Sequence, residues 1–361
     1  MYRNWHFDAA IGIFEKSSAL PVHTKQFLIF FSFVLSFTGT TAQDSRQYSF
    51  THYGAAEGLI SNEASAVLHD DDGFVWVGTN NGLQRYDGSR FITFRHDRNN
   101  PRSIPANYIQ QLMKGQEGLI WVLCGDGQVA LLDPRRLEFT NIPLVFRQQH
   151  HKMAVKKLVK DDNGNIFLIA ANLEYITWDK KKREFNPDGN PFRIPGERKP
   201  IDIAYQPSAG KYWIGTNLGL VIYNSRTNQY SYAGNNTEKE AILNQYDSYS
   251  AYNLFFDRNG RLWYDVWGPG IPLINCFDLR QKKFILRQYH FHDVIKSYYE
   301  TNGYMQQKDG TIWIKGLNVF AQYIEKENRF QLVYNGYINE QSIVYEKVPS
   351  ICEDSMTQIS G

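Results

Sequence analysis

Six aromatic residues, Trp76, Trp121, Phe167, Trp213, Trp263 and Trp313, recur at intervals of 45 to 50 residues, and a glycine stands three positions before each, from Gly73 to Gly310. An apolar or aromatic residue immediately precedes each of the six: Val75, Ile120, Ile166, Tyr212, Leu262 and Ile312. A fixed period of this length implies a small unit that cannot bury its own apolar face and must stack on copies of itself. One period reads as four strands. An apolar stretch such as Ala66-Val67-Leu68 makes the first, and a turn such as Asp71-Asp72-Gly73 supplies the positive φ of a tight hairpin into the aromatic-bearing second strand. The third strand ends in an acidic or amide residue at Asp87, Asp133, Asp179, Asn224, Asp278 and Glu325. Phe91, Phe139, Phe185, Tyr230, Phe284 and Phe330 mark the fourth.

Four antiparallel strands per period of about 45 residues is the signature of a β-propeller blade. The expected fold is therefore all-β, a β-propeller of four-stranded antiparallel blades, of the seven-bladed type with the last blade incomplete. Six periods are complete, and a seventh begins at Val348 and runs to Met356. The stretch from Tyr48 to Tyr53 is expected as an outer strand that pairs with that last blade and removes an exposed edge. The recurring aromatic is expected to pack between blades and to take no part in ligand binding.

Composition agrees: 23 Tyr, 23 Phe, 8 Trp and 27 Gly against 5 Met favour short strands and tight turns. Lys and Arg total 39 against 37 Asp and Glu, scattered without a basic stripe, so no direct contact with nucleic acid is expected. The run Lys180 to Arg183 reads as a solvated turn. Residues 27–37 are an unbroken apolar run apart from two serines, followed by the small residues Thr40, Thr41 and Ala42. This pattern predicts a signal peptide over residues 1–42, with an unusually long N-terminal extension, cleaved after Ala42 and too short to span a membrane. The extension suggests a translation start near Leu20 or Val22. Residues 43–361 would then be the exported propeller. Cys124, Cys276 and Cys352 fall in different repeats, and each is expected as a buried thiol outside any disulfide framework.

The chain carries no nucleophile elbow, phosphate loop or clustered metal-ligand spacing, so no catalytic residue, metal or cofactor is expected. His290 and His292 alternate but lack a third ligand of clear spacing. Asp70 to Gly73 begins like a calcium loop without the downstream Glu such a loop needs. A recognition surface is better supported. The turns after the aromatic strands carry Asn80, Asn81, Asp126, Asn172, Asn217 and Trp267, whose amides, carboxylate and flat ring suit sugar hydroxyls and sugar faces. Each polar member is also a residue that turns favour for conformation alone. Trp267 stands out as an additional Trp in an enlarged turn from Asp265 to Pro272.

The stretch Asp72 to Gly88, with Trp76-Val77-Gly78-Thr79 and Gly82-Leu83, closely resembles the two-component regulator propeller repeat, and Gly210 to Asn224 is similar. The opening from Phe50 to Asn62 is similar to the start of the sensor half of hybrid two-component sensors. The resemblance covers residues from about 48 to the end. It implies a periplasmic ligand-sensing propeller whose parent is an inner-membrane histidine kinase with a second propeller and a dimer partner. It also implies recognition of an oligosaccharide or other small extracellular ligand and control of polysaccharide-utilisation genes. Kinase chemistry and any membrane contact would belong to residues beyond this sequence. The pattern departs where Phe167 replaces Trp and where the Gly-Thr pair gives way to Leu123-Cys124, Ile169-Ala170 and Lys315-Gly316. The alternatives left open are an exported propeller lyase or glycosidase, which needs paired carboxylates, and a propeller scaffold for protein contacts.

Overall fold

The computed structural model describes residues 51–145, 155–161, 164–170, 175–187, 192–244, 249–333, 335–336 and 343–353. The expected signal peptide, residues 1–42, lies outside the described residues. Blade 1 comprises β1 (Ala64–His69), β2 (Val75–Thr79), β3 (Gly82–Tyr86) and β4 (Phe91–Phe94). Blade 2 has β5 (Ile109–Lys114), β6 (Ile120–Cys124), β7 (Val129–Asp133) and β8 (Glu138–Ile142). Blade 3 has β9 (Val155–Lys160), β10 (Ile166–Ala170), β11 (Tyr175–Asp179) and β12 (Glu184–Asn186). Blade 4 has β13 (Pro200–Gln206), β14 (Lys211–Thr216), β15 (Gly219–Asn224) and β16 (Gln229–Tyr232). Blade 5 has β17 (Ala251–Phe256), β18 (Arg261–Trp267), β19 (Pro272–Asp278) and β20 (Lys283–Tyr289). Blade 6 has β21 (Glu300–Gln306), β22 (Ile312–Leu317), β23 (Phe320–Ile324) and β24 (Arg329–Leu332). Every sheet pairs its strands in chain order. No helix among the described residues is long and apolar enough to cross a membrane.

Local chemistry repeats with the blades. Asp70 Oδ1 accepts from the backbone N–H groups of Asp72 (3.0 Å) and Phe74 (2.8 Å), while Oδ2 accepts from Trp76 Nε1 at 2.7 Å. The carboxylate thus fixes the first hairpin and the indole together, which accounts for the acidic run without a metal. Asp257 does the same for Trp263 Nε1 at 2.9 Å, and Gln206 and Gln307 replace the carboxylate for Trp213 (3.1 Å) and Trp313 (2.8 Å). Phe167 has no N–H to offer, and in blade 3 the anchor Asp161 instead accepts the Tyr212 hydroxyl of blade 4 at 2.7 Å. The residues ending the third strands cap the hairpins into the fourth: Asp87, Asp133, Asp179, Asn224 and Asp278 each accept from two backbone N–H groups two and three residues ahead.

The aromatics are the wedges between blades. Trp76, Trp213 and Trp263 are fully buried, and each packs with residues of the following blade, as Trp76 does with Ile109, Ile120 and Leu132. Burial of such a ring contributes about 3 kcal/mol. Lys181, Lys182 and Arg183 are exposed in a surface turn, as expected.

Three expectations are corrected. The described residues form six blades, not seven: after β24 they make only isolated bridges and no further sheet. Thr51 to Tyr53, the described part of the expected outer strand, form no strand, and the Tyr53 ring packs on Tyr86 and Phe91 of blade 1. Cys124 and Cys276 are buried as expected, but Cys352 is exposed.

The axis is closed by side chains that reach from each blade to the next. Ser65 Oγ donates to the Ile109 carbonyl, and Gln111 exchanges two 2.8 Å hydrogen bonds with the Leu158 backbone. Lys157 Nζ meets Asp202 Oδ1 at 2.6 Å, and Asp202 Oδ2 accepts from Leu254 N at 3.0 Å. Asp265 joins Asn253 Nδ2 (2.8 Å) to the Tyr304 hydroxyl of blade 6. Lys315 Nζ donates to the Pro349 carbonyl at 2.7 Å, and Ser350 Oγ donates to the Val67 carbonyl of blade 1 at 3.3 Å. The lone segment around Pro349 therefore bridges blade 6 and blade 1, and Val348 N donates to Gly316 O at 2.8 Å to hold it there.

Candidate functional site

Antiparallel order puts the start of each first strand, the end of each second and the end of each fourth on one face of the ring. The connections between blades begin and end there. Among the described residues, seven large apolar side chains are exposed, and five of them, Tyr108, Trp267, Val294, Tyr298 and Val344, belong to this face. Four of the five fall between the end of β18 and the lone segment, so the apolar surface is concentrated on one sector. Tyr53 lies elsewhere, against blade 1, and Val145 runs beside the outer strand of blade 3 through its N–H to Phe185 O (2.9 Å).

These side chains sit on held backbone. Trp267 ends β18 with its N–H on Ser250 O (3.0 Å), and the residue is 36% exposed. The Tyr298 carbonyl accepts from Asn318 Nδ2 at 2.9 Å, and its hydroxyl donates to Glu300. Tyr108 lies so close to Gly125 that a Cβ there would come within 2.0 Å of the ring, which is why a glycine stands at that turn.

The other expected residues are spread around the same face. Asn80 Nδ2 donates to Glu63 at 2.6 Å, and Asn81 N donates to Thr79 Oγ1 at 3.0 Å; both side chains are exposed. Asp126 is exposed and accepts from the Gln128 backbone at 3.1 Å. Asn217 Oδ1 accepts from Lys199 N at 2.6 Å, and Asn217 lines an open pocket of about 440 Å³ with Gly196, Glu197, Arg198 and Lys199. Within that loop the Arg198 guanidinium stacks over the Tyr232 ring at 4.2 Å. Asn172 lies outside the described residues. Asn80 and Asn81 share one turn, and with Asp126, Asn217 and Trp267 they stand on four turns of four blades and do not converge on one point.

Sequence reasoning missed Tyr108 and Tyr298, although each stands just ahead of a first strand. It also missed a polar centre. Asp202 is 3% exposed and Asp265 fully buried. Burial pushes the Asp265 carboxyl up to about 6 against the pull of its hydrogen bonds from Tyr304 and Asn253. Asp202 is held by Lys157 and by the backbone N–H groups of Ile203 (2.9 Å) and Leu254. Both carboxylates are committed to holding strands together and present no oxygen to the open face. His290 and His292 rings lie 6.4 Å apart, and no group of three or more His, Cys, Asp or Glu among the described residues is placed to hold a metal ion.

Residues 58–81 match the model of the two component regulator propeller family. A search of curated proteins returned no match. Among solved structures, the chain is similar to the extracellular domain of the putative hybrid two component system BT3049 from B. thetaiotaomicron, with 19% identity and a TM-score of 0.63 over 85% of this chain and 39% of that one. The chain thus spans about two fifths of that domain's length. YCF48 bound to D1 peptide is similar at 12% identity and a TM-score of 0.51, covering 71% of this chain and 76% of that one. The extracellular domain of the putative one component system BT4673 from B. thetaiotaomicron aligns at 16% identity and a TM-score of 0.39, over 78% and 45% of the two chains. Residues 58–81 are thus a repeat of the two-component regulator propeller family, set in a β-propeller of four-stranded antiparallel blades.

Proposed function

We propose that this propeller is the ligand-sensing domain of an exported two-component sensor and that it recognises an oligosaccharide on the face carrying Trp267 and Tyr298. The observation that carries the reading is the gathering of exposed rings on one sector of a rigid ring, since function on such scaffolds lives on the connections they hold. Flat rings stack on sugar faces, and the polar turns around them supply donors and acceptors for hydroxyls. The propeller is not catalytic in this reading, because its buried carboxylates Asp202 and Asp265 are out of reach of a substrate. It would lie in the periplasm, with a histidine kinase parent in the inner membrane that controls polysaccharide-utilisation genes. The resemblance to hybrid sensors supports that placement.

Isothermal titration of the chain with oligosaccharides released from polysaccharides tests the reading. Binding is expected, and Trp267→Ala is expected to weaken it about tenfold while leaving Tm unchanged, since the ring is exposed. Unchanged affinity in the variant would defeat the assignment. Val294 and Val344, 64% and 47% exposed, favour a second use of the same sector as a contact for a second propeller or a dimer partner.

A further inference from the structure

Four of the five recurring tryptophans give their indole N–H to an acidic or amide side chain ahead of the second strand: Trp76 to Asp70, Trp213 to Gln206, Trp263 to Asp257 and Trp313 to Gln307. In blade 2 that place is held by Gly115, which brings no side-chain acceptor. A Cβ on Gly115 would lie 3.1 Å from Trp121 Nε1, so the glycine stands where the anchor would start. Trp121 is 4% exposed, and among the described residues no acceptor takes its N–H. Buried donors are normally paired, so this one calls for an acceptor from outside the chain.

The Trp121 indole lines a cavity of about 140 Å³ in the seam between blades 2 and 3. Trp178, at the end of β11, forms a second wall, its ring centred 5.0 Å from that of Trp121 and inclined at 79° to it. Gln116 and Glu117 from the β5–β6 hairpin, Gly164 from the β9–β10 hairpin and Lys180 after β11 complete the lining. Gln116, Glu117 and Lys180 are exposed at the rim. Gly164 lets the two hairpins approach, since a Cβ there would come within 2.5 Å of Gln116 Nε2. These hairpins lie on the face opposite that of Trp267.

The lining selects among ligands. A space of about 150 Å³ holds one six-membered ring. An aromatic wall and an indole donor suit a ring with a C–H face and an acceptor oxygen. Glu117 and Lys180 set opposite charges on the rim, which fits hydroxyls that both accept and donate and disfavours a ligand carrying either charge alone. We infer that this cavity binds one neutral pyranose ring, packed on Trp178, with one of its oxygens accepting from Trp121 Nε1 and its outer hydroxyls held by Glu117 and Lys180. It is a separate sugar site on the other face of the ring and does not rest on the reading proposed above.

The test is NMR of the indole N–H signals of the whole chain, titrated with the methyl glycosides of glucose, galactose and mannose and, for comparison, with glucuronate, glucosamine and phenol. The Trp121 signal is assigned as the one that Trp121→Phe removes. At least one methyl glycoside is expected to shift it saturably. Gly115→Asp supplies the carboxylate that Asp70 supplies in blade 1, so it is expected to shift the signal without ligand and to weaken the glycoside about tenfold. Should that variant fail to fold, Lys180→Ala and Glu117→Gln, both at exposed positions, are each expected to weaken it about threefold. Trp267→Ala is expected to change nothing at this site. A Trp121 signal that none of the three glycosides moves overturns the inference, as does glycoside affinity that all of the site variants leave at the wild-type value. Tighter binding of glucuronate, glucosamine or phenol than of every glycoside overturns it too, because the site would then be ionic or purely apolar. Failure of the sensing role reads differently: no oligosaccharide binds through Trp267, whatever the glycosides do at Trp121.

Discussion

Replacing Asp265 with Asn removes a carboxyl that the fold holds fully buried between Asn253 of its own blade and Tyr304 of the next. Its pKa is pushed from 3.8 up to about 6, chiefly by burial. The unfolded chain releases this proton near 3.8 and the folded chain near 6, so between those values the folded state binds more protons and stability falls as pH rises. Below about 4 the group contributes nothing, and above about 6 the loss is complete and constant. A displacement of this size corresponds to roughly 3 kcal/mol. Asn keeps the shape and still accepts from the Tyr304 hydroxyl, but it does not titrate. Urea unfolding followed by tryptophan fluorescence at pH 4, 5, 6 and 7 should therefore show Asp265→Asn gaining on wild type by about 2 to 3 kcal/mol from the lowest pH to the highest, whatever constant offset the substitution brings. Surface carboxylates such as Asp71 and Asp179, whose pKa values are lowered by Lys114 and by the Lys182 backbone, cancel because both proteins contain them. A difference that stays constant within about 0.5 kcal/mol across the range would refute the reasoning.

Trp263→Ala should cost about 3 to 5 kcal/mol by opening a cavity in the seam between blades 5 and 6, whereas Trp263→Phe should cost about 1 to 3 kcal/mol, mainly by leaving Asp257 without its indole donor; scanning calorimetry ranks the two. Asp257→Ala strips the buried Arg261 of its 2.6 Å partner and leaves Glu325 as its remaining carboxylate, so a loss of about 3 kcal/mol is expected in urea unfolding. Maleimide at neutral pH should label Cys352 rapidly and spare Cys124 and Cys276 in the folded chain, because burial pushes the Cys124 thiol up to about 12 and the Cys276 thiol higher. Equal labelling of all three by mass spectrometry would contradict the burial described here.

The repeat was legible because its chemistry is local. Glycine three before an aromatic fixes a hairpin, and the acidic or amide residue ahead of it fixes the indole, so the four-stranded sheets follow from spacing alone. The blade count was not legible in the same way. It depends on whether the residues after Leu332 find partner strands, and pairing between distant segments leaves no periodic mark. Asn80, Asn81, Asp126 and Asn217 read as ligand groups from composition, and in the fold Asn81 and Asp126 bond within their own turns, Asn80 donates to Glu63 ahead of β1 and Asn217 ties down the Lys199 backbone. The departures from the repeat were more informative than its matches. Asp265 and Lys315 both replace the glycine two residues after the aromatic, and the fold brings both to the axis where neighbouring blades meet.

The central claim is that ligand is taken up on the face where the second strands end. Hydrogen exchange of the chain with and without a bound oligosaccharide tests it most directly. Slowed exchange is expected over residues 266–273, 294–300 and 343–349, with the hairpins at 257–261 and 307–312 on the opposite face unchanged. Protection confined to those hairpins, or spread evenly around the ring, would contradict the account.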